Sequence, residues 1–296
     1  PGGWFASKVA VIDVDGVISA RGGGMFGPSN LVSEIDEELK LIEHDRSVKA
    51  VVLRVNSPGG GVTASDLLYR RLSQFREKRN IPIYASMMDM AASGGYYVSM
   101  AADKVFASPT TVTGSIGVIA VFPEGESLLS KIGLNFSVIK SGDFKDIGSL
   151  FRHMKPEERE LLQKVVSAMY DRFVEVVVKG RPNLTQDRIR ELADGRIYTA
   201  EQAHASGLVD GIAYIDEVVE KVEAEAGIRH ARVVTYRRWS SGTASLYAQT
   251  PEQDYSAGGS GWLNSLRGNN PPSNTQINLL NVGDSPTGDM HSYFHY

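Results

Sequence analysis

The sequence lacks cysteine, and this absence excludes several kinds of chemistry at once. None of its 296 residues is cysteine, so the protein forms no disulfide, thiolate metal site or cysteine nucleophile. Long apolar runs are also missing, and none approaches the roughly 20 residues that a membrane-spanning helix needs. Basic residues occur only in short clusters such as Arg70-Arg71 and Arg237-Arg238, within a net charge of −4. We therefore expect no nucleic acid partner, because such clusters are too short to follow a phosphate backbone.

Histidine is missing between the two segments that carry the candidate catalytic residues. Ser93 lies in the glycine-flanked turn Ala91–Gly95, and the loop Lys140–Lys145 follows without an intervening histidine. A lysine can activate a serine in place of histidine, provided that burial favours its neutral form near pH 7. The residues therefore favour a serine–lysine peptidase, with Lys140 and Lys145 both open as the base. The alternative is that Ser93 only caps the helix predicted to follow it.

Three consecutive glycines follow a predicted strand in the loop Asn56–Gly61. Glycine lets the backbone approach a ligand closely and direct its amide N–H groups at it. A phosphate-binding loop would carry Gly-x-Gly-x-x-Gly or end in Gly-Lys-Ser/Thr, whereas this loop continues with Val62-Thr63-Ala64. We therefore interpret it as an oxyanion site, in which each donor contributes about 3–4 kcal/mol to the transition state. A plain tight turn is the alternative.

Strands and helices alternate from residue 8 to about residue 235, which implies a mostly parallel sheet flanked by helices, an α/β fold. The predicted strands include Lys8–Val14, Ala50–Val55, Ile81–Ser86 and Phe136–Ile139. The longest predicted helix runs from about Pro156 to Lys179. We expect a catalytic domain over residues 1–239 and a flexible, low-complexity tail over residues 240–296, rich in Ser, Gly, Asn and Pro. The aromatic end of this tail, His291–Tyr296, is a candidate to enter the active-site groove as a substrate mimic, with a passive tail as the alternative.

Six stretches of the sequence resemble the signal peptide peptidase A family, the bacterial serine peptidases of group S49. They follow the order of the family over roughly residues 7–235, and they are Val55–Val62, Met90–Tyr97, Ala102–Lys104, Thr113–Val118, Ile139–Ile147 and Asp194–Tyr198. The resemblance implies a fold related to crotonase and to the caseinolytic protease ClpP, and a ring-like homo-oligomer. We expect no cofactor and no metal.

The resemblance also implies roles for individual residues. The nucleophile falls on Ser93, and the general base falls on Lys145, which decides against Lys140. Ser115, in the Thr-Gly-Ser turn, is our own candidate to hold the lysine amine by a hydrogen bond.

The oxyanion donors implied by the resemblance are Gly94 and the glycine loop, where Gly60 is preferred over Gly59. The implied substrates are apolar, extended peptides, such as signal peptides left in the membrane after cleavage. The family implies a catalytic domain outside the cytoplasm at the cell membrane. We expect membrane association through a segment absent from this chain, which begins at Pro1 rather than at methionine.

Two other enzyme classes share part of this pattern. The stretch Val11–Ile18 holds Asp13 and Asp15 in the form that haloacid-dehalogenase-type phosphatases use to bind Mg²⁺, and Asp284 and Asp289 imitate their late acidic motif. A crotonase-like enzyme acting on an acyl thioester would share the glycine loop but would not need a serine nucleophile.

Overall fold

The computed structural model describes residues 7–20 and 30–236, together with the backbone of residues 294–295. The helices are α1 (Leu31–His44), α2 (Val62–Arg79), α3 (Gly94–Ser99), α4 (Glu126–Lys131), α5 (Pro156–Gly180), α6 (Gln186–Leu192), α7 (Ala200–Ala205) and α8 (Ile215–Glu225). The strands are β1 (Lys8–Asp15), β2 (Val48–Ser57), β3 (Ile83–Ala92), β4 (Lys104–Ala107), β5 (Val112–Gly114), β6 (Ile119–Ala120), β7 (Ile197–Thr199), β8 (Gly211–Ile212), β9 (Arg232–Thr235) and β10 (Phe294–His295).

The central sheet has the strand order β7-β5-β3-β2-β1-β9, with β4 beside β3 and β8 beside β4. Its central strands β1, β2 and β3 are parallel neighbours, and β7 runs antiparallel to β5 at one edge. The central strands are rich in valine and isoleucine and almost continuously buried, as expected for a parallel sheet covered on both faces. The predicted mostly parallel α/β fold is confirmed.

Helices cover the two faces of the sheet, and the sheet separates the hydrophobic core into two clusters. On β1, Ala10 and Ile12 join the larger cluster with residues of α1, α2, α3 and α5. The alternating residues Val9 and Val11 join the smaller cluster with Ile215 and other residues of α8. This alternation follows from the two-residue period of a strand, whose successive side chains point to opposite faces of the sheet.

One predicted strand is wrong. Residues 136–139 form no strand, and Ile139 is fully exposed, at 100% relative accessibility. The valine and isoleucine of this stretch favour an extended chain, but a strand also needs a neighbour that accepts its hydrogen bonds. The long helix predicted from Pro156 is present as α5, with the proline in its first turn.

The predicted tail falls mostly outside the described residues, so its flexibility stays a prediction. Its described part is strand β10, which pairs antiparallel with β6. Entry of the aromatic end into the active-site groove likewise stays a prediction. Every helix in the described part of the chain is too short or too polar to cross a lipid bilayer.

Candidate active site

The glycine loop between β2 and α2 is held by Ile18, which follows β1. The Ile18 amide donates to the carbonyl of Gly59 at 2.9 Å, and the Ile18 carbonyl accepts from the amide of Gly61 at 3.0 Å. These two hydrogen bonds involve Gly59 and Gly61, the residues on either side of Gly60, and they do not involve the Gly60 amide. A Cβ added to Gly60 would lie 2.2 Å from the Ile18 carbonyl oxygen. Glycine is therefore required at this position.

Ser93 lies between the end of β3 and the first residue of α3, in a backbone conformation that favours glycine. Its φ is 54° and its ψ is −117°, and its amide donates to the carbonyl of Gly114 at 2.8 Å. Such conformations cost about 1–3 kcal/mol for other residues and concentrate at functional sites. The hydroxyl makes no capping hydrogen bond to α3, so the alternative of a plain helix cap is wrong. Among the described residues, the buried Oγ of Ser93 has no hydrogen-bond partner.

The serine turn packs directly on the glycine loop. A Cβ added to Gly94 would lie 3.2 Å from both the Gly60 nitrogen and the Gly59 Cα. Because Gly94 is the first residue of α3, its amide has no acceptor within the helix. The fold therefore packs the glycine loop against the residue that follows Ser93, and the role of the Gly60 and Gly94 amides as oxyanion donors stays a prediction.

Lys145 lies in the loop between α4 and α5. The residue is exposed, and it makes no hydrogen bond to the unpartnered Oγ of Ser93. The competing lysine is engaged elsewhere, because Lys140 Nζ donates to Asp146 Oδ1 at 2.6 Å and to the Asp143 carbonyl at 2.9 Å. The ion pair with Asp146 therefore occupies Lys140 and not Lys145.

The loop that carries Lys145 is anchored to α5 through Arg152. The guanidinium donates from Nε to Asp146 Oδ2 at 2.8 Å and from Nη1 to Glu158 Oε2 at 2.8 Å. Glu158 is fully buried in the first turn of α5. Arg152 holds the pKa of both carboxyl groups below their usual values, with Lys140 adding to the effect at Asp146. This network fixes the position of the residue next to Lys145.

Replacing Arg152 by methionine is expected to lower the free energy of unfolding by about 3 kcal/mol at pH 7, because it leaves the carboxylate of Glu158 buried without its cation. Since the folded state lowers the pKa of both carboxyl groups, this contribution is present at neutral pH and is lost as the pH falls below about 4. Urea unfolding of wild type and variant at pH 7 and at about pH 3 measures the effect.

The matched control is Arg159→Met in α5, at the exposed position next to Glu158. We expect it to change stability by less than about 0.5 kcal/mol. An equally small loss in Arg152→Met would show that the network does not hold the loop.

Ser115 follows β5, the strand beside the end of β3. Its amide donates to the Arg196 carbonyl at 2.8 Å, and its φ is 50°. The pairing of Ala92 with Gly114 places Ser115 at the same edge of the sheet as Ser93. Its role in holding the lysine stays a prediction.

The phosphatase interpretation finds no support in the described residues. Asp13 is held by Arg54 through two hydrogen bonds of 2.6 and 3.0 Å, in a largely buried pair. No group of three or more His, Asp or Glu side chains in the described part of the chain could hold a metal ion. Asp284 and Asp289 lie outside that part.

Sequence comparisons identify the family. The sequence model of peptidase family S49 matches residues 75–229, and that of the Clp proteases matches residues 28–113. The chain belongs to peptidase family S49. It is therefore a serine peptidase, a hydrolase that acts on peptide bonds.

Curated relatives agree with this assignment. The chain is 40% identical over 247 residues to a putative signal peptide peptidase SppA of Enterococcus faecium, covering 81% of this chain and 70% of that protein. It is 34% identical over 242 residues to the chloroplastic serine protease SPPA of Arabidopsis thaliana, covering 81% of this chain and 35% of that protein. It is 36% identical over 218 residues to Protease 4 of Haemophilus influenzae, covering 73% of this chain and 34% of that protein. The chain thus spans about a third of the two longer relatives.

Proposed function

We propose that this serine peptidase uses a Ser93–Lys145 dyad and cleaves apolar, extended peptides. The observation that carries the proposal is the buried hydroxyl of Ser93, which has no partner among the described residues and precedes Gly94, the residue that packs on the glycine loop. A hydroxyl in that position is available to a base and to a substrate carbonyl.

The proposed mechanism assigns one step to each group. Neutral Lys145 accepts the proton of Ser93 Oγ as the oxygen attacks the peptide carbonyl. The amides of Gly60 and Gly94 bind the resulting oxyanion. The lysine ammonium then protonates the leaving amine, and a water molecule hydrolyses the serine ester. Burial of Lys145 in the assembled site favours the neutral form that this role requires.

The base comes from a second copy of the chain in this proposal. Lys145 is exposed, and the segment around it exposes many apolar side chains. They include Ile119, Val121, Leu128, Ile132, Leu134, Phe136, Ile139 and Phe144. An apolar surface of this kind is typical of an interface. Closing it in a ring-like homo-oligomer would bury Lys145 of one subunit beside Ser93 of the next.

Remnant signal peptides at a membrane are the proposed substrates. The relative from Enterococcus faecium is named a signal peptide peptidase, and the exposed strand β6 accepts an extended segment, β10, in antiparallel pairing. Backbone pairing of this kind suits an extended peptide. We propose that a membrane anchor lies outside this sequence and that the catalytic domain works outside the cytoplasm.

A serine-directed acylating probe and a fluorogenic apolar peptide test the proposal together. We expect the probe to modify Ser93 in the wild type and to leave Ser93→Ala unmodified. Peptide hydrolysis between pH 6 and 10 should rise to a plateau with a midpoint well below the pH at which free lysine loses its proton. Retained hydrolysis in Ser93→Ala would contradict the dyad and would reopen the acyl-thioester interpretation, which the same assay with a thioester substrate would detect.

A further inference from the structure

Helix α2 carries a second buried hydroxyl close to the glycine loop, that of Ser65. The residue is 0% exposed, and its Oγ has no hydrogen-bond partner among the described residues. Its amide donates to the Gly61 carbonyl at 2.9 Å as part of the helix. The hydroxyl does not share that carbonyl, although serines within helices often bond to the carbonyl four residues earlier.

The position of this hydroxyl coincides with the space that a side chain at residue 94 would need. A Cβ added to Gly94 would lie 2.4 Å from Ser65 Oγ and 3.2 Å from the Gly60 nitrogen. Ser65 Oγ and the Gly60 nitrogen therefore both lie against Gly94, the residue that follows Ser93. Unlike the two amides, the hydroxyl hydrogen can rotate toward an acceptor that arrives there.

An unpaired buried hydroxyl lowers the stability of a folded protein relative to alanine at the same site. Serine is also a poorer helix former than alanine. Hydrogen bonding within the described chain and helix propensity therefore both favour alanine over serine at position 65. An oxygen of a substrate bound at Ser93 would give the hydroxyl the partner that the described chain does not provide.

We propose that Ser65 is a further catalytic residue of this peptidase. Its hydroxyl donates a third hydrogen bond to the oxygen of the scissile carbonyl as that oxygen becomes the oxyanion, alongside the amides of Gly60 and Gly94. Ser65 keeps its proton throughout, so the step adds no proton transfer to the mechanism. The inference rests on the proposed function, because it needs an oxyanion formed by attack of Ser93.

Ser65→Ala tests this role, with Ser86→Ala as the matched control. Ser86 is also fully buried with an unpartnered hydroxyl, but it lies within β3 between Arg54 and Phe106 of the neighbouring strands. Both variants should unfold at an equal or higher urea concentration than the wild type, because each loses an unpaired hydroxyl. We expect Ser65→Ala to lower kcat about 10- to 100-fold at unchanged KM. Ser86→Ala should keep kcat within about twofold.

The inhibition constant of a peptide aldehyde provides a second measurement. It should not change if Ser65 has only a structural role. The aldehyde forms a hemiacetal with Ser93 whose oxygen occupies the oxyanion position, so its inhibition constant should rise in Ser65→Ala by the same factor as kcat falls. Unchanged kcat and unchanged aldehyde affinity would overturn the proposal, as would a rise in KM alone. Labelling of Ser93 by the acylating probe separates the two hypotheses. Loss of labelling in the wild type contradicts the dyad, whereas normal labelling with unchanged kcat in Ser65→Ala contradicts only the role of Ser65.

Discussion

Co-expression of the two inactive variants Ser93→Ala and Lys145→Ala is expected to restore peptide hydrolysis. Each variant alone should lose at least about 10⁴-fold in kcat, because each lacks one member of a unit that acts together. The prediction rests on the proposed site, in which the exposed Lys145 of one subunit reaches the buried Ser93 of the next. In a mixed ring, a neighbouring pair can combine the intact serine of one chain with the intact lysine of the other.

Random mixing of equal amounts places both intact residues together at about one quarter of the interfaces in a symmetric ring. The mixture should therefore recover roughly a quarter of the wild-type rate, about 10³-fold above either variant alone. The control replaces Lys145→Ala by the double variant Ser93→Ala/Lys145→Ala, which supplies no intact serine and should restore nothing. An inactive mixture of the single variants that still forms the native oligomer would place the base in the same chain as its serine.

Gly60→Ala is expected to lower kcat by at least about 10²-fold, the usual effect of removing one oxyanion donor. The added Cβ would meet the Ile18 backbone at 2.2 Å from its carbonyl oxygen and 2.7 Å from its nitrogen. Backbone atoms cannot turn away as a side chain can, so the loop must shift and carry the Gly60 amide with it. Hydrolysis kinetics on the folded variant measure the loss.

The neighbouring residue provides the matched control. A Cβ on Gly61 would meet only the Ala64 Cβ at 3.6 Å and the Ile18 oxygen at 3.9 Å, and the φ of Gly61 is −65°. Gly61→Ala should therefore keep kcat within about threefold. A substitution that creates neither a clash nor backbone strain usually has a small effect on stability. Equal kcat values for the two variants would show that the Gly60 amide is not an oxyanion donor. Urea unfolding of both variants separates a local shift from a general loss of stability.

Local backbone signals carried most of what the sequence could predict. The glycine run before α2 and the small residues around Ser93 each specify a turn through steric freedom alone, and the structure places those turns in contact. The buried valines of β1 and β2 likewise predict parallel strands without any knowledge of their partners.

Features that depend on distant pairings could not be predicted in this way. The sequence of residues 136–139 indicates an extended chain. It does not indicate whether a neighbouring strand is present to pair with that segment. Arg152 and Glu158 resemble ordinary surface charges in the sequence, and only the docking of α5 shows that Glu158 is fully buried. The unpaired state of Ser65 depends on where residue 94 packs, so no local pattern could indicate it.

A base supplied by a second chain, as proposed above, has a consequence for the protein before assembly. Under that proposal a newly made chain holds Ser93 without its base, so it is inactive and cannot cleave other proteins in the compartment where it is synthesised. Assembly would then activate the enzyme, as removal of a pro-segment activates a zymogen. Specific activity should rise steeply with protein concentration and vanish on dilution, so the local abundance of the chain would set when and where proteolysis begins.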